Sequence, residues 1–354
     1  MTRKKISIIL VSILAAVAAV VGIVFASFWY IDNRRPGFEK EFVLFVYPDT
    51  DASRVLDALC IDGCAKSQSS LERCFNKLNV AENIRPGRYP IRTSYPPVYV
   101  ARMLIYGWQE PTSLTLSGTL RHKWRIAQKI SLQMMVDSTS VMEALNDEVF
   151  LSKYGFTPEN VFAMIIPDSY EIYWTASVEK IFDRFKKEYD AFWTPERVQK
   201  AAEQGLTPME ASVVASIVSG ETLKDFEYSK IAGVYLNRLH RGMKLQADPT
   251  ICFCYGYTLN RVLRKHLSVE SPYNTYKYAG LPPAPINVPP KACIEAVLNP
   301  DPHNYLFFCA NPAFDGTHRF AATYAEHQKN AREFQRALNA RLKARAEASA
   351  DAAK

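Results

Sequence analysis

Residues Ile6 to Tyr30 carry no charged side chain, and an apolar run of that length leaves a chain few places to put it. As a helix rising about 1.5 Å per residue, it is long enough for the roughly 30 Å hydrocarbon core of a bilayer. Arg3, Lys4 and Lys5 precede it, and Phe28, Trp29 and Tyr30 close it as an interfacial aromatic belt. Arg34 and Arg35 follow, so the charge bias is modest. A cleaved signal peptide competes with this reading, with Val24-Phe25-Ala26 as its cleavage site. The run exceeds the usual apolar segment of about 7–15 residues in such peptides, which favours an uncleaved anchor. The expectation is a single-pass protein of the inner (cytoplasmic) membrane, its short tail cytoplasmic and its bulk on the periplasmic side.

The chain has 354 residues, so the portion beyond the anchor is ample for two or three cores at about 100–200 residues each. Its seven cysteines cannot all pair, and export permits disulfides. Cys60, Cys64 and Cys74 could staple a loop. Cys252 and Cys254, spaced C-x-C, make a poor disulfide pair. The clusters lack paired C-x-x-C spacing and the six histidines are scattered, so no metal site is expected. Nor does any feature call for a cofactor. Net charge is +7, with the basic excess near the membrane, in Arg261–Lys265 and in the tail. Export and the absence of a basic, aromatic-interleaved run argue against nucleic acid as a partner. A mildly basic surface facing anionic lipid or an anionic polymer is what the charge supports.

Periodicity and turn chemistry indicate an α+β chain. Phe42–Tyr47 reads as a strand, Asp51–Leu59 and Leu71–Leu78 as helices, and Gly87–Ile91 as a second strand. This β-α-α-β order suits a small module of its own. Helices are expected at Pro97–Tyr106, Lys123–Met134, Ser138–Asn146 and Val178–Trp193, and from Thr194 to Gly205. Ser113–Leu116 reads as a strand, and Pro167–Tyr170 as a turn that leaves rings and polar groups near a surface. Tyr228–His240 is helical, with Ile231, Val234, Tyr235 and Leu239 on one face, and Leu245–Thr250 leaves it in a turn. Tyr305–Ala310 reads as a buried strand with His318–Phe320 as its partner. A last helix starts at Tyr324 and frays after about Ala340.

The chemistry concentrates between Thr207 and Pro289. Thr207 as N-cap, Pro208 at N1 and Glu210 at N3 form a capping box that starts a helix. Val214, Ile217 and Val218 repeat at i, i+3 and i+4, and Glu221 follows on the same face. Burial and the negative end of its own helix would both raise the pKa of that carboxyl. A Glu held neutral near pH 7 can protonate a leaving group, as general acids do in glycoside cleavage. The bland alternative is a frayed helix end at Ser219-Gly220, with Glu221 pointing into water. Ser271–Pro290 is dense in proline and tyrosine, cannot continue a helix, and makes a rigid cleft wall suited to sugars.

The series A-S-I-V-S-G-E-T, I-A-G-V-Y-L-N-R-L, G-M-K-L-Q-A-D-P-T, Y-N-T-Y, G-L-P-P-A-P-I and H-R-F resembles the endolytic murein transglycosylases of the YceG-like family. Weaker similarity extends upstream through P-D-S-Y and P-G-R-Y-P, leaving the insert at Cys60–Cys74 outside the pattern. The family's earlier acid, two residues before the catalytic one, is Ser219 here, which leaves Glu221 as the motif's one acid. The resemblance implies an anchor at 6–30 after a tail at 1–5, a LysM-like module at 31–111 and an intermediate segment at 112–206. A mixed α/β catalytic core follows at 207–340, then a tail at 341–354.

It further implies a lyase in cell-wall synthesis and remodelling, with peptidoglycan glycan strands as substrate and peptidoglycan synthases as partners. The reaction is cleavage of the MurNAc–GlcNAc β-1,4 bond within strands, ending in 1,6-anhydro sugars, with Glu221 as the catalytic acid and base. Gln246, Asp248, Tyr273 and Asn274 match family motifs and are expected to position sugar hydroxyls and acetamides, with His318 lining the cleft. For these residues a turn-forming, structural role is the alternative. Two rival functions stay open. A hydrolysing muramidase needs a second carboxylate, for which Asp248 and Asp168 are candidates. A non-catalytic glycan-binding protein of the envelope needs none.

Overall fold

A computed structural model describes residues 3–352, and the chain divides into two compact units. The first comprises 1–114 with the short segments 133–135 and 171–176; the second holds the remainder. The architecture is mixed α/β and helix-rich, its strands paired two by two.

In the first unit, helix α1 (Arg3–Asn33) contains a span, Ile6–Asn33, that is long and apolar enough to cross a membrane. Its far end is fastened rather than loose. Asp32 accepts hydrogen bonds from the Arg73 guanidinium at 2.6 and 3.1 Å, and that guanidinium lies 4.6 Å from the Phe28 ring. Strand β1 (Phe42–Val46), helices α2 (Ala52–Ile61), α3 (Gln68–Lys77) and α4 (Val80–Asn83), and strand β2 (Gly87–Ile91) follow, then α5 (Pro97–Tyr106). The β-α-α-β order expected from sequence is present, with α4 as an added turn. β1 and β2 run antiparallel, from Phe42 opposite Ile91 to Val46 opposite Gly87. Alternation puts Leu44 and Val46 on the same buried face as Tyr89 and Ile91. Val55, Leu59, Leu71, Phe75, Val100 and Leu104 from the helices close that core.

Strands β3 (Thr112–Thr115) and β4 (Ser169–Ile172) pair with each other. Asp168 and Ser169 are exposed as expected of Pro167–Tyr170, but the segment enters β4 at Ser169 and the ring of Tyr170 does not stay near the surface. Tyr170 is buried, its hydroxyl donates to the Ile166 carbonyl, and its ring packs 5.4 Å from that of Phe185. A phenol that satisfies its hydroxyl locally can be buried whole.

The second unit contains α6 (Lys123–Ser131), α7 (Ser138–Ala144), α8 (Glu148–Ser152), α9 (Val178–Phe192) and α10 (Pro195–Glu203). Its centre is α11 (Pro208–Glu221), packed against α12 (Tyr228–His240), α13 (Asp248–Cys254) and α14 (Lys291–Leu298). The Thr207–Glu210 capping box is formed in both directions. Every residue of α11 from Ala211 to Val218 is buried, so this is an all-round core helix rather than one with a single apolar stripe. Its small residues allow that. Ser212 and Ser216 return their hydroxyls to the Pro208 and Val213 carbonyls at 2.9 and 2.7 Å, so neither hydroxyl is buried unpaired.

Strands β5 (Phe307–Ala310) and β6 (His318–Ala321) form the expected hairpin, but β5 is only half-buried. Helix α15 (Tyr324–Ala352) then continues through the Ala/Arg/Glu tail, beyond the expected fraying point near Ala340. All seven cysteines are free thiols, so the staple open to Cys60, Cys64 and Cys74 is not made.

Candidate active site

Glu221 is the last residue of α11, where the helix has left its densest packing but has not reached solvent. It lines a pocket of about 140 Å³ together with Arg121, Asp248, Cys252, Tyr257 and Asn287. Asn287 also lines a neighbouring cavity of about 520 Å³, whose wall includes Ser219, Asp168, Ser117 and Lys291. The Ser219-Gly220-Glu221 end of α11 thus runs along the seam between a small polar pocket and a larger groove.

Two contacts hold the seam. The Asn287 amide donates to the Ser216 carbonyl at 2.8 Å and accepts from the Ser219 hydroxyl at 3.1 Å. The Ile286 N–H donates to Ser216 Oγ at 3.0 Å. The proline-dense segment is thereby hydrogen-bonded to α11 one turn before Glu221, and its prolines cost no ladder because this segment forms none.

Gly220 brings the second carboxylate into place. A Cβ there would lie 2.6 Å from Pro249 Cβ and 2.8 Å from Pro249 Cγ, so only glycine lets the start of α13 close on α11. Pro249 carries Asp248 with it to the rim of the Glu221 pocket. Alanine would gain about 1 kcal/mol of helix propensity at this position. Overpacking against backbone-fixed proline costs about 1–3 kcal/mol and should win. Gly220→Ala is therefore expected to lower the denaturation midpoint and to reduce activity by displacing Asp248; an unchanged midpoint would show that α13 yields freely.

The electrostatics of Glu221 follow from this setting. Burial raises its pKa most, to about 7, and the Asp248 charge adds to the rise. A hydrogen bond from Tyr235 and the charge of Arg238 oppose it. The Tyr235 hydroxyl, on α12, donates to Glu221 Oε1, and burial keeps that phenol protonated well above its ordinary range. Tyr235 fixes one carboxyl oxygen and leaves Oε2 to carry or receive the proton. Arg238 is buried and spent on carbonyls, donating to Leu306 and Leu245 at 2.6 Å each. Asp248 accepts from the Tyr276 hydroxyl at 2.6 Å. Asp248→Asn removes a charge that raises the Glu221 pKa. Its protonated fraction at neutral pH should fall, and the alkaline limb of the activity profile should move to lower pH. An unmoved limb would mean that Asp248 does not act on Glu221.

Of the residues singled out from sequence, Glu221 and Asp248 meet in one pocket. Gln246 is exposed in the left-handed region, φ 49°, and its N–H donates to the Thr275 carbonyl at 3.1 Å. Tyr273 is half-buried with its ring 4.5 Å from that of Phe253. Asn274 is fully buried, its amide donating to the Leu267 and Val269 carbonyls at 3.0 and 2.7 Å and accepting from the Tyr276 N–H. His318, on β6, sets both its N–H and its ring Nδ1 2.8 Å from the buried Glu227 carboxylate. Sequence reasoning places Tyr235 on an apolar face and assigns Arg121 no role. The missed signal for Tyr235 was that a phenol on a buried face must find an acceptor.

The YceG-like family model matches residues 44–333. The chain belongs to the YceG-like family. Among curated relatives, it is 42% identical over 116 residues to an endolytic murein transglycosylase of Bacillus subtilis, covering 33% of this chain and 32% of that one. It is 29% identical over 174 residues to an endolytic murein transglycosylase of Streptococcus pneumoniae, covering 48% of this chain and 31% of that one. The match thus spans about a third of the length of these relatives. The crystal structure of a yceG-like protein from Listeria monocytogenes has 25% identity and a TM-score of 0.53, covering 82% of this chain and 99% of that one. The mixed α/β architecture is therefore that of a YceG-like fold.

Proposed function

We propose that this YceG-like chain is a peptidoglycan lyase, anchored in the inner membrane by α1, that cleaves the MurNAc–GlcNAc β-1,4 bond within glycan strands. The first unit serves as a LysM-like glycan-binding module and the second as the catalytic core, alongside peptidoglycan synthases. The single observation that carries the catalytic reading is Glu221, a carboxyl with a pKa raised to about 7 at the seam of two cavities. A group titrating there is populated in both forms at neutral pH, which suits a general acid that must next be a base.

In the proposed reaction Glu221 donates its proton to the glycosidic oxygen, and the C1–O4 bond breaks with the electron pair leaving on that oxygen. The carboxylate then takes the proton of the MurNAc C6 hydroxyl as O6 bonds to C1. The products are a free 4-hydroxyl and a 1,6-anhydro end, no water is consumed, and Glu221 recovers its proton. Tyr235 keeps the carboxyl oriented through both steps. The names of the relatives, endolytic murein transglycosylases, support a lytic reaction on peptidoglycan.

Asp248 favours a second reading. Its carboxylate shares the Glu221 pocket and could activate water, giving hydrolysis. Digestion of purified sacculi by the full chain in detergent, with mass analysis of the ends, separates the two. Anhydro ends, one water lighter than reducing ends, support the lytic reaction; reducing ends alone would replace it with hydrolysis. Release of no fragments would leave a glycan-binding protein.

A further inference from the structure

The pocket that holds Glu221 also contains a cation with nothing to neutralise. Arg121 lines it and is exposed. Among the described residues Arg121 has no hydrogen-bond or ion-pair partner; its guanidinium lies 4.9 Å from the centroid of the Tyr257 ring. That ring is fixed, since the Tyr257 hydroxyl donates to the Ile286 carbonyl at 2.6 Å. Neither acid of the pocket takes up the cation, Asp248 being bonded to Tyr276 and Glu221 to Tyr235. The rings continue outward. His122 meets Tyr257 edge-on at 5.5 Å and stacks at 5.7 Å on Trp124, which is 50% exposed. Exposed aromatic rings such as Trp124 suit the apolar faces of sugars. A planar guanidinium held over a ring at its inner end is a partner for a carboxylate.

We propose that Arg121 is a specificity-determining residue that binds a carboxylate carried on O3 of the muramyl sugar beside the scissile bond, with His122 and Trp124 forming the wall along which the strand continues. This rests on the peptidoglycan reading above and deepens it. One of the two alternating sugars bears a lactyl ether acid on O3, free in stripped strands and amide-linked when a stem peptide is attached; the stem then supplies carboxylates of its own. The neutral sugar offers Arg121 nothing comparable. An arginine at this place makes the enzyme sort the two sugars by charge and sets which bond lies over Glu221.

The test uses the full chain in detergent as wild type, Arg121→Gln and Arg121→Lys. Each is assayed on stripped strands and on stem-bearing strands, with carboxylates free or capped as methylamides. Capping should lower wild-type kcat/KM about tenfold, the size of one charge-assisted hydrogen bond. Whether this occurs with stripped or stem-bearing strands identifies the lactyl or the stem acid. Arg121→Gln should cleave free and capped strands alike, at the wild-type rate for capped ones, and Arg121→Lys should keep part of the preference as a point charge. The proposal is overturned if Arg121→Gln remains sensitive to capping, or if it loses activity equally on every substrate as a packing defect would cause. Wild type that cleaves all strands equally well overturns it while sparing the peptidoglycan reading. Wild type that cleaves none removes both.

Discussion

Glu221→Gln is expected to lower kcat on peptidoglycan by about 10²–10⁴, the usual worth of a positioned general acid–base, with KM and the circular dichroism spectrum near wild type. The substitution is nearly isosteric. The Gln carbonyl can still accept the Tyr235 hydroxyl that Glu221 Oε1 accepts, so the end of α11 keeps its packing. What disappears is the exchangeable proton. A carboxamide can neither protonate the glycosidic oxygen nor take the proton of an attacking hydroxyl, and both steps fail together. The Asp248 carboxylate is the one other acid in that pocket, and it lies at the start of α13 rather than at the end of α11. Residual activity within a few-fold of wild type would mean that another group carries the reaction.

The same substitution should stabilise the protein, and only on the alkaline side. Glu221 has a folded-state pKa of about 7 against 4.5 for the ordinary carboxyl. Below about pH 4.5 the group is protonated folded or unfolded and contributes no difference. Between 4.5 and 7 the unfolded chain releases the proton that the folded chain keeps, so stability falls as pH rises. Above 7 the folded state holds a buried carboxylate, and the penalty reaches up to about 3 kcal/mol. Gln has no such penalty. In urea unfolding of the full chain, the two proteins should agree near pH 4.5 and diverge through pH 7, with Glu221→Gln the more stable at pH 8. A constant difference across that range would show that Glu221 is not held neutral by the fold. An active site kept at the expense of stability is a common bargain.

Local chemistry made much of this legible. The Thr207–Glu210 capping box, the strands at Phe42 and Gly87 and the β5–β6 hairpin all declare themselves within a few residues, and they occur where sequence places them. Glu221 is singled out by its place after the apolar repeat of α11 together with the family motif that ends on it. The failures share a different cause. Leu245–Thr250 reads as a turn from sequence, yet proline is tolerated in the first turn of a helix, and α13 starts at Asp248-Pro249. No element is expected from sequence at Lys291–Leu298, yet α14 occurs there directly after two prolines and is what α11 and α12 pack on. The site also depends on partners far away in the chain. Arg121 and Asn287 reach the Glu221 pocket from opposite sides of α11 in sequence, and no local pattern brings them together. Asn274 illustrates the converse. Its sequence motif suggested a sugar contact, while its amide is committed to three backbone groups of its own loop.

The account stands on one carboxyl that is half protonated near neutrality, and a ¹³C-carboxyl NMR titration of Glu221 in the full chain reads that directly. Assigned by comparison with Glu221→Gln, its resonance should titrate with a midpoint near the value of about 7 given by its burial beside Tyr235 and Asp248. In Asp248→Asn the midpoint should move down. A midpoint at the ordinary carboxyl value of 4.5 would contradict the account, because the group would then be a carboxylate at neutral pH with no proton to give.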